Sequence, residues 1–128
     1  MTKQHAAKGP SQRQLRVGEM IRHAFAEIMM RSEIVDPEFD GHDVTVTEVR
    51  ASPDLHNATI YVVPFGRGNP AATLAALKRH QRFLRGELAK RVDLKYMPQI
   101  SFEIDDRFEK AERIDEILRS PTVRRDLD

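Results

Sequence analysis

Residues 50–66 read RASPDLHNATIYVVPFG, and residues 83–105 read FLRGELAKRVDLKYMPQISFEID. In the first stretch the sequence Ser52-Pro53-Asp54 precedes a run of β-branched and aromatic residues, which predicts a turn followed by a strand. In the second stretch a basic helical sequence stops before Pro98, and apolar and polar residues then alternate. The two stretches therefore predict one strand after a tight turn and another strand after a helix.

The remaining elements follow from the same kinds of pattern. Ser11 is a favourable N-cap residue, and apolar residues recur after it at three- and four-residue spacing. An acidic loop over residues 33–43 separates this first helix from the first strand. The predicted elements are a helix from Gln12 to Arg31, strands from Val44 to Arg50, Ala58 to Phe65 and Gln99 to Asp105, a helical region from Pro70 to Val92, and a short helix from Phe108 to Leu118.

The helical region from Pro70 to Val92 has a weak point near its middle. It begins with a clear signal, because Asn69 is a capping residue and Pro70 suits the first helical position. Gln81 occupies a position where the apolar stripe requires an apolar side chain, and Gly86 costs about 1 kcal/mol relative to alanine. Two alternatives stay open, one kinked helix or two short helices.

The order of these elements predicts an α+β domain with a three-stranded mixed sheet. The first two strands share a short connection and form an antiparallel hairpin, whereas the third returns after the helices and is expected to pair in parallel. Ile100, Phe102 and Ile104 would face the core. Glu103 and Asp105 would then share the solvated face of the sheet.

Length and composition fit one domain. A chain of 128 residues buries a single core, and it has no cysteine, which excludes disulfides and thiolate metal sites. The chain has no apolar stretch of about 18 residues, the length that a transmembrane helix needs. Its first residues also lack the apolar region of a secretory signal. We expect a cytoplasmic protein with a folded domain over residues 11–119 and flexible tails at residues 1–10 and 120–128.

Charge is distributed in blocks, although the net charge is only +1. Residues 33–65 carry seven acids and one arginine, whereas residues 78–95 carry seven Lys or Arg and two acids. A local basic surface matters more for nucleic-acid binding than the overall isoelectric point. The candidate RNA-binding residues are Lys78, Arg79, Arg82, Arg85, Lys90, Arg91 and Lys95, with Arg13 and Arg16 on the first helix. The cations of the second helical region are expected to point mainly to water.

The order of elements corresponds to the type II KH arrangement, and several motifs are similar to those of the bacterial ribosome-binding factor A family. Each motif is weak alone, but five in order at fitting distances are more specific. The resemblance covers the chain from about Arg13 to Leu118. The motifs are Ser52-Pro53-Asp54-Leu55, Phe83-Leu84-Arg85 with Leu88, Leu94 with Pro98, Phe102 with Asp105, and Arg113-Ile114 with Ile117-Leu118. One departure is clear: His80, Gln81 and Arg82 stand where the family has an Ala-x-Gly kink.

The resemblance implies a KH-like, RNA-binding, non-enzymatic factor. Such a protein would bind the immature 30S subunit and its 16S rRNA, and would assist late maturation and rRNA processing. It would act as a monomer, without a cofactor, metal or membrane. The chain lacks the Gly-x-x-Gly loop of ordinary KH domains and has few aromatic residues, so phosphate contacts are expected to dominate over base stacking.

Other readings of the sequence predict different functions. A small protein-binding adaptor would use the acidic hairpin face over residues 33–54 against a basic partner. A metal-dependent ribonuclease would use Glu103 and Asp105. Two weaker patterns are a metal site in the acidic loop, formed by Asp36, Asp40, His42 and Asp43, and a phosphate-binding loop at Gly66-Arg67-Gly68.

Overall fold

The computed structural model describes residues 9–31, 36, 44–64, 69–107, 114, 115, 117 and 118. Its elements are α1 (Gln12–Met30), β1 (Val44–Ala51), β2 (Asn57–Pro64), α2 (Pro70–Arg79), α3 (Gln81–Arg91) and β3 (Gln99–Ile104). These bounds lie within a residue or so of the predicted ones. Residues 114, 115, 117 and 118 of the predicted C-terminal helix are described and are helical. Residue 107, just before the predicted start, is helical as well. Residues 108–113 and 116, like most of both predicted tails, lie outside the described residues.

The sheet has the order β1-β2-β3, with β2 in the centre. β1 pairs with β2 in antiparallel orientation, and β2 pairs with β3 in parallel orientation. A parallel neighbour requires a crossover connection, which α2 and α3 provide. The predicted α+β class, the three-stranded mixed sheet and the type II KH order are confirmed.

The core lies between the sheet and the helices. Ile21, Phe25 and Ile28 of α1 are fully buried at three- and four-residue spacing, and the ring of Phe25 lies 5.8 Å from that of Phe102 in β3. The first helix approaches the sheet closely at Gly18. A Cβ atom there would come within 2.5 Å of the backbone oxygen of Val49, so only glycine permits this contact.

A tight turn joins β1 to β2 and is held by its own side chains. The Ser52 hydroxyl donates to the Asp54 carboxylate at 2.7 Å, and the same carboxylate oxygen accepts the His56 N–H at 3.0 Å. These two hydrogen bonds lower the pKa of Asp54. Leu55 adopts a positive φ of 62°, which is uncommon for a residue other than glycine. We call residues 52–57 the hairpin turn.

The helical region divides into two helices at His80, which resolves the open alternative. The break lies beside Gln81 rather than at Gly86, which sits inside α3. The His80 ring nitrogen Nε2 lies 2.8 Å from the carboxylate of the buried Asp36, and Arg79 donates to the same oxygen at 3.0 Å. Contacts of Arg79 and His80 with Asp36 therefore support the bend without a glycine.

Each edge strand of the sheet accepts one hydrogen bond from a glutamine side chain. Gln14 of α1 donates to the backbone oxygen of Ala51 in β1 at 2.9 Å, and Gln81 of α3 donates to the backbone oxygen of Ile100 in β3. An uncovered strand edge invites pairing with another chain. The polar side chain of Gln81, which interrupts the apolar stripe of the helical region, is thus explained by its contact with a strand edge.

Candidate nucleic-acid interface

The nine candidate RNA-binding residues fall into two classes. Five are exposed and make no ion pair or hydrogen bond with another described residue, and four are bound to groups of the protein itself. The five are Arg13, Arg16, Lys78, Arg82 and Lys95, and the four are Arg79, Arg85, Lys90 and Arg91. A cation without an intramolecular partner gives up no bond within the protein when it binds a phosphate, so the first class is better suited to nucleic-acid contacts.

Arg85 differs most from the expectation that these cations point to water. Its guanidinium is half-buried and donates to the backbone oxygens of Met97 at 2.6 Å and Pro98 at 3.0 Å. Residues 92–98, which we call the exit loop, connect α3 to β3. The expectation is therefore wrong for Arg85, because the folding of the exit loop brings two carbonyls over the helix and the side chain turns to meet them.

Arg91 joins the ends of two helices. It donates to the Glu87 carboxylate at 2.9 Å and to the Glu27 carboxylate of α1 at 3.3 Å. Lys90 also contacts Glu87, at 2.9 Å. The hydrogen bond from Lys90, followed by that from Arg91, lowers the pKa of the Glu87 carboxyl. The Lys90 side chain is 73% exposed, so a phosphate can compete with Glu87 for it. The Arg91 side chain is mostly buried and is less accessible to a phosphate.

The five unpaired cations lie at two different places. Lys78 and Arg82 flank the break between α2 and α3. Arg13 and Arg16 lie on the first turns of α1, which contacts the end of β1 through Gln14. As expected from the sequence, the cations form two groups along the chain, one beside the break at His80 and one at the start of α1.

Lys95 lies at the same end of the sheet as Arg13 and Arg16. The exit loop that carries it runs into β3, whose first residue, Gln99, donates its N–H to the backbone oxygen of His56 at 2.9 Å. The hairpin turn, the exit loop and the start of α1 therefore meet at one end of the sheet. Arg13, Arg16 and Lys95 all lie at this end.

Aromatic side chains are exposed at the same end, which the sequence did not indicate. The Tyr96 ring is 51% exposed, and its centroid lies 5.0 Å from that of the exposed His56. The two residues are forty positions apart in the chain, so no local spacing connects them. Another exposed aromatic side chain, Phe83, is 44% exposed on α3.

The described carboxylates of the acidic hairpin face are bound within the protein. Asp36 contacts Arg79 and His80, and Asp54 is part of the hairpin turn. Glu48 contacts Arg50 at 2.7 Å and Arg107 at 3.0 Å. The acids at positions 33, 38, 40 and 43 lie outside the described residues, as do Gly66-Arg67-Gly68 and His42.

The carboxylate pair of the ribonuclease hypothesis is divided by burial. Glu103 is exposed, but the Asp105 side chain is 2% exposed and does not share the solvated face as expected. β3 ends at Ile104, so the alternation stops and the next side chain turns inward. Arg107 at 2.6 Å and the Thr47 hydroxyl at 2.5 Å hold the pKa of Asp105 far below its usual range. An ion-paired carboxylate of this kind is a weak general base.

Two further properties concern the described residues alone. No three His, Asp or Glu side chains come together there as ligands for a metal ion. No helix among them is long and apolar enough to cross a membrane.

Comparison with known proteins identifies the family. The sequence model of the family "Ribosome-binding factor A" matches residues 13–118, which is most of the chain. The chain belongs to the ribosome-binding factor A family. The resemblance noted in the sequence motifs is thereby confirmed.

Relatives with this name cover nearly the whole chain. Ribosome-binding factor A of Bradyrhizobium sp. (strain ORS 278) is 55% identical over 122 residues, which are 95% of this chain and 88% of the relative. The protein of the same name from Rhodopseudomonas palustris (strain TIE-1) is 53% identical over 131 residues, covering 100% of this chain and 96% of the relative.

Solved structures agree with the fold. The crystal structure of ribosome-binding factor A from Thermus thermophilus superposes with a TM-score of 0.60 at 30% identity, covering 71% of this chain and 94% of that chain. A homology model of the Thermus thermophilus factor, fitted into a cryo-EM map of a 30S complex, has a TM-score of 0.56 at 31% identity and covers 69% of this chain and 90% of its own.

Proposed function

We propose that this protein binds the immature 30S ribosomal subunit through its 16S rRNA and assists late maturation and rRNA processing as a monomer, without catalysis. Membership of the ribosome-binding factor A family carries the proposal. A relative from Thermus thermophilus was fitted into a map of a 30S complex, which supports the same partner for this chain.

The unpaired cations supply a physical basis for RNA binding. Lys and Arg side chains contact phosphates without reading sequence, and they set the position of a protein on folded RNA. Arg13, Arg16, Lys78, Arg82 and Lys95 are exposed and carry no competing ion pair among the described residues. We propose these five as the main phosphate-binding residues. Arg79, Arg85, Lys90 and Arg91 serve first to hold the fold.

The absence of catalysis is part of the proposal and rests on the environments of Glu103 and Asp105. Asp105, one of the two carboxylates considered for nuclease chemistry, is buried and paired with Arg107. The test is incubation of excess rRNA fragments with the protein and Mg²⁺. We expect no cleavage beyond the rate seen with RNA alone, and multiple turnover would restore the ribonuclease hypothesis.

Co-sedimentation with 30S particles in a sucrose gradient tests the partner. We expect the tagged protein to move with the small subunit and to leave that fraction after RNase treatment. An association that survives RNase would instead support the protein-binding adaptor. Charge reversal of Arg82 to Glu should weaken binding to the particle, while the matched single reversal of Lys90, which is paired with Glu87, should have a smaller effect.

Salt dependence gives a quantitative form of the same test. Each neutralised phosphate contributes about −0.7 to −0.9 to the slope of log affinity against log salt, so five contacts predict a slope of roughly −4. Affinity for 30S particles should then fall on the order of 200-fold between 50 and 200 mM salt. A nearly flat dependence would contradict phosphate contacts as the basis of binding.

A further inference from the structure

The ring pair formed by His56 and Tyr96 is an exposed aromatic surface with no role in the core. The ring centroids are 5.0 Å apart with an angle of 38° between the planes, which is within the range of favourable aromatic contacts. Tyr96 remains 51% exposed despite this contact. The exposed face of Tyr96 can therefore stack on another planar group.

The backbone on both sides of the ring pair is fixed by hydrogen bonds. The His56 N–H donates to Asp54 at 3.0 Å, and the His56 carbonyl accepts the Gln99 N–H at 2.9 Å. On the other side, the carbonyl of Met97, next to Tyr96, accepts from Arg85 at 2.6 Å. The backbone that carries the two rings is therefore held before any ligand arrives, which reduces the entropy lost on binding.

Exposed cations lie at the same end of the sheet as this aromatic surface. Lys95 is the residue before Tyr96 and is exposed. Arg13 and Arg16 lie at the same end of the sheet, because Gln14 contacts the end of β1 and neighbouring strands are only about 4.8 Å apart. The first turn of α1 also presents the positive end of the helix dipole there.

An exposed aromatic ring beside unpaired cations fits an unpaired nucleotide, whose base stacks on the ring while its phosphates meet the charges. We propose that Tyr96, supported by His56, stacks on an unpaired base of single-stranded RNA, and that Lys95 contacts a neighbouring phosphate. This inference rests on the proposed function, since it assigns to the RNA-binding protein a preference for a single-stranded segment. A duplex cannot supply the base, because its bases are already stacked.

Fluorescence can report the stacking directly, because the chain contains no tryptophan. Tyr96→Trp places a single fluorophore on the proposed surface. Tyr61→Trp is the matched control, since Tyr61 is half-buried in β2 and lies under the guanidinium of Arg50 at 5.3 Å. We expect a single-stranded RNA oligonucleotide to quench the Tyr96→Trp variant strongly and the Tyr61→Trp variant little. A duplex of the same sequence should quench neither.

Affinity measurements separate a binding role from a structural one. Removal of one stacked base contact weakens binding by roughly 5- to 100-fold, so Tyr96→Ala should show a loss of this size for single-stranded RNA, and Tyr96→Phe should restore most of it. The thermal midpoint of Tyr96→Ala should stay close to that of the parent protein. A fall in that midpoint with unchanged affinity would overturn the proposal and show that the ring pair only packs the hairpin turn against the exit loop.

The same experiments distinguish failure of this inference from failure of the proposed function. If the parent protein binds 30S particles and RNA but neither Tyr96→Ala nor the quenching experiment shows a difference, base stacking at Tyr96 is wrong and the phosphate contacts remain. If the parent protein binds neither 30S particles nor RNA, the proposed function fails, and the stacking proposal fails with it.

Discussion

Arg85 offers the sharpest test of how the cations of α3 are divided between folding and binding. Arg85→Met keeps the length of the side chain but removes the guanidinium, which leaves the carbonyls of Met97 and Pro98 without their donor. Hydrogen bonds from a charged group contribute about 1.5–3 kcal/mol each. Because the site is only half-buried, we expect a combined loss of roughly 2–4 kcal/mol.

For a domain of this size, 1 kcal/mol corresponds to about 4 °C in the melting temperature. Arg85→Met should therefore melt about 8–16 °C below the parent protein in a circular dichroism scan. Arg82→Met is the matched control, since it is the same substitution in the same helix at an exposed side chain with no bond to another described residue. It should melt within about 2 °C of the parent protein and bind 30S particles more weakly.

Two results would refute this reasoning. Equal melting temperatures for Arg85→Met and Arg82→Met would mean that the bonds to the exit loop contribute nothing to stability. Normal stability of Arg85→Met combined with a large loss of 30S binding would mean that Arg85 contacts the RNA directly, as the sequence pattern alone suggested.

Three further predictions concern the core, the glycines and acid stability. Leu84→Ala truncates a fully buried side chain and should destabilise by roughly 2–5 kcal/mol in urea unfolding, whereas normal stability would contradict its place in the core. Gly86→Ala should stabilise the protein by up to about 1 kcal/mol, because the space around Gly86 is open. Gly18→Ala should lower the urea midpoint, because its Cβ would meet a β1 carbonyl. A higher urea midpoint for Gly18→Ala than for Gly86→Ala would refute the packing of α1. The pKa of Asp105 is depressed in the fold, so its contribution is complete above its unfolded value near 3.9 and is lost as pH falls further. The melting temperature of Asp105→Asn should thus lie below that of the parent at pH 7, with a gap that narrows below about pH 4.

The secondary-structure elements and their order can be predicted from the amino-acid sequence. Local signals suffice for this, since caps such as Ser11 and Asn69 and the periodicity of apolar residues act within one or two turns of the chain. The alternation of β3 was sufficient to place Ile100 and Phe102 in the core. The alternation predicted the wrong side for Asp105, which lies one residue after the strand ends. Side chains alternate between the two faces of a sheet only within the paired strand.

Which charged and aromatic residues are available for binding depends on contacts between distant parts of the chain. Arg85 and Lys95 look equivalent in a basic segment, but the exit loop brings two carbonyls to the first and leaves the second exposed. The break at His80 depends on Asp36, which is 44 positions away, and the contact between His56 and Tyr96 spans forty. Such pairs form through chain folding rather than local spacing, so no periodicity in the sequence reveals them.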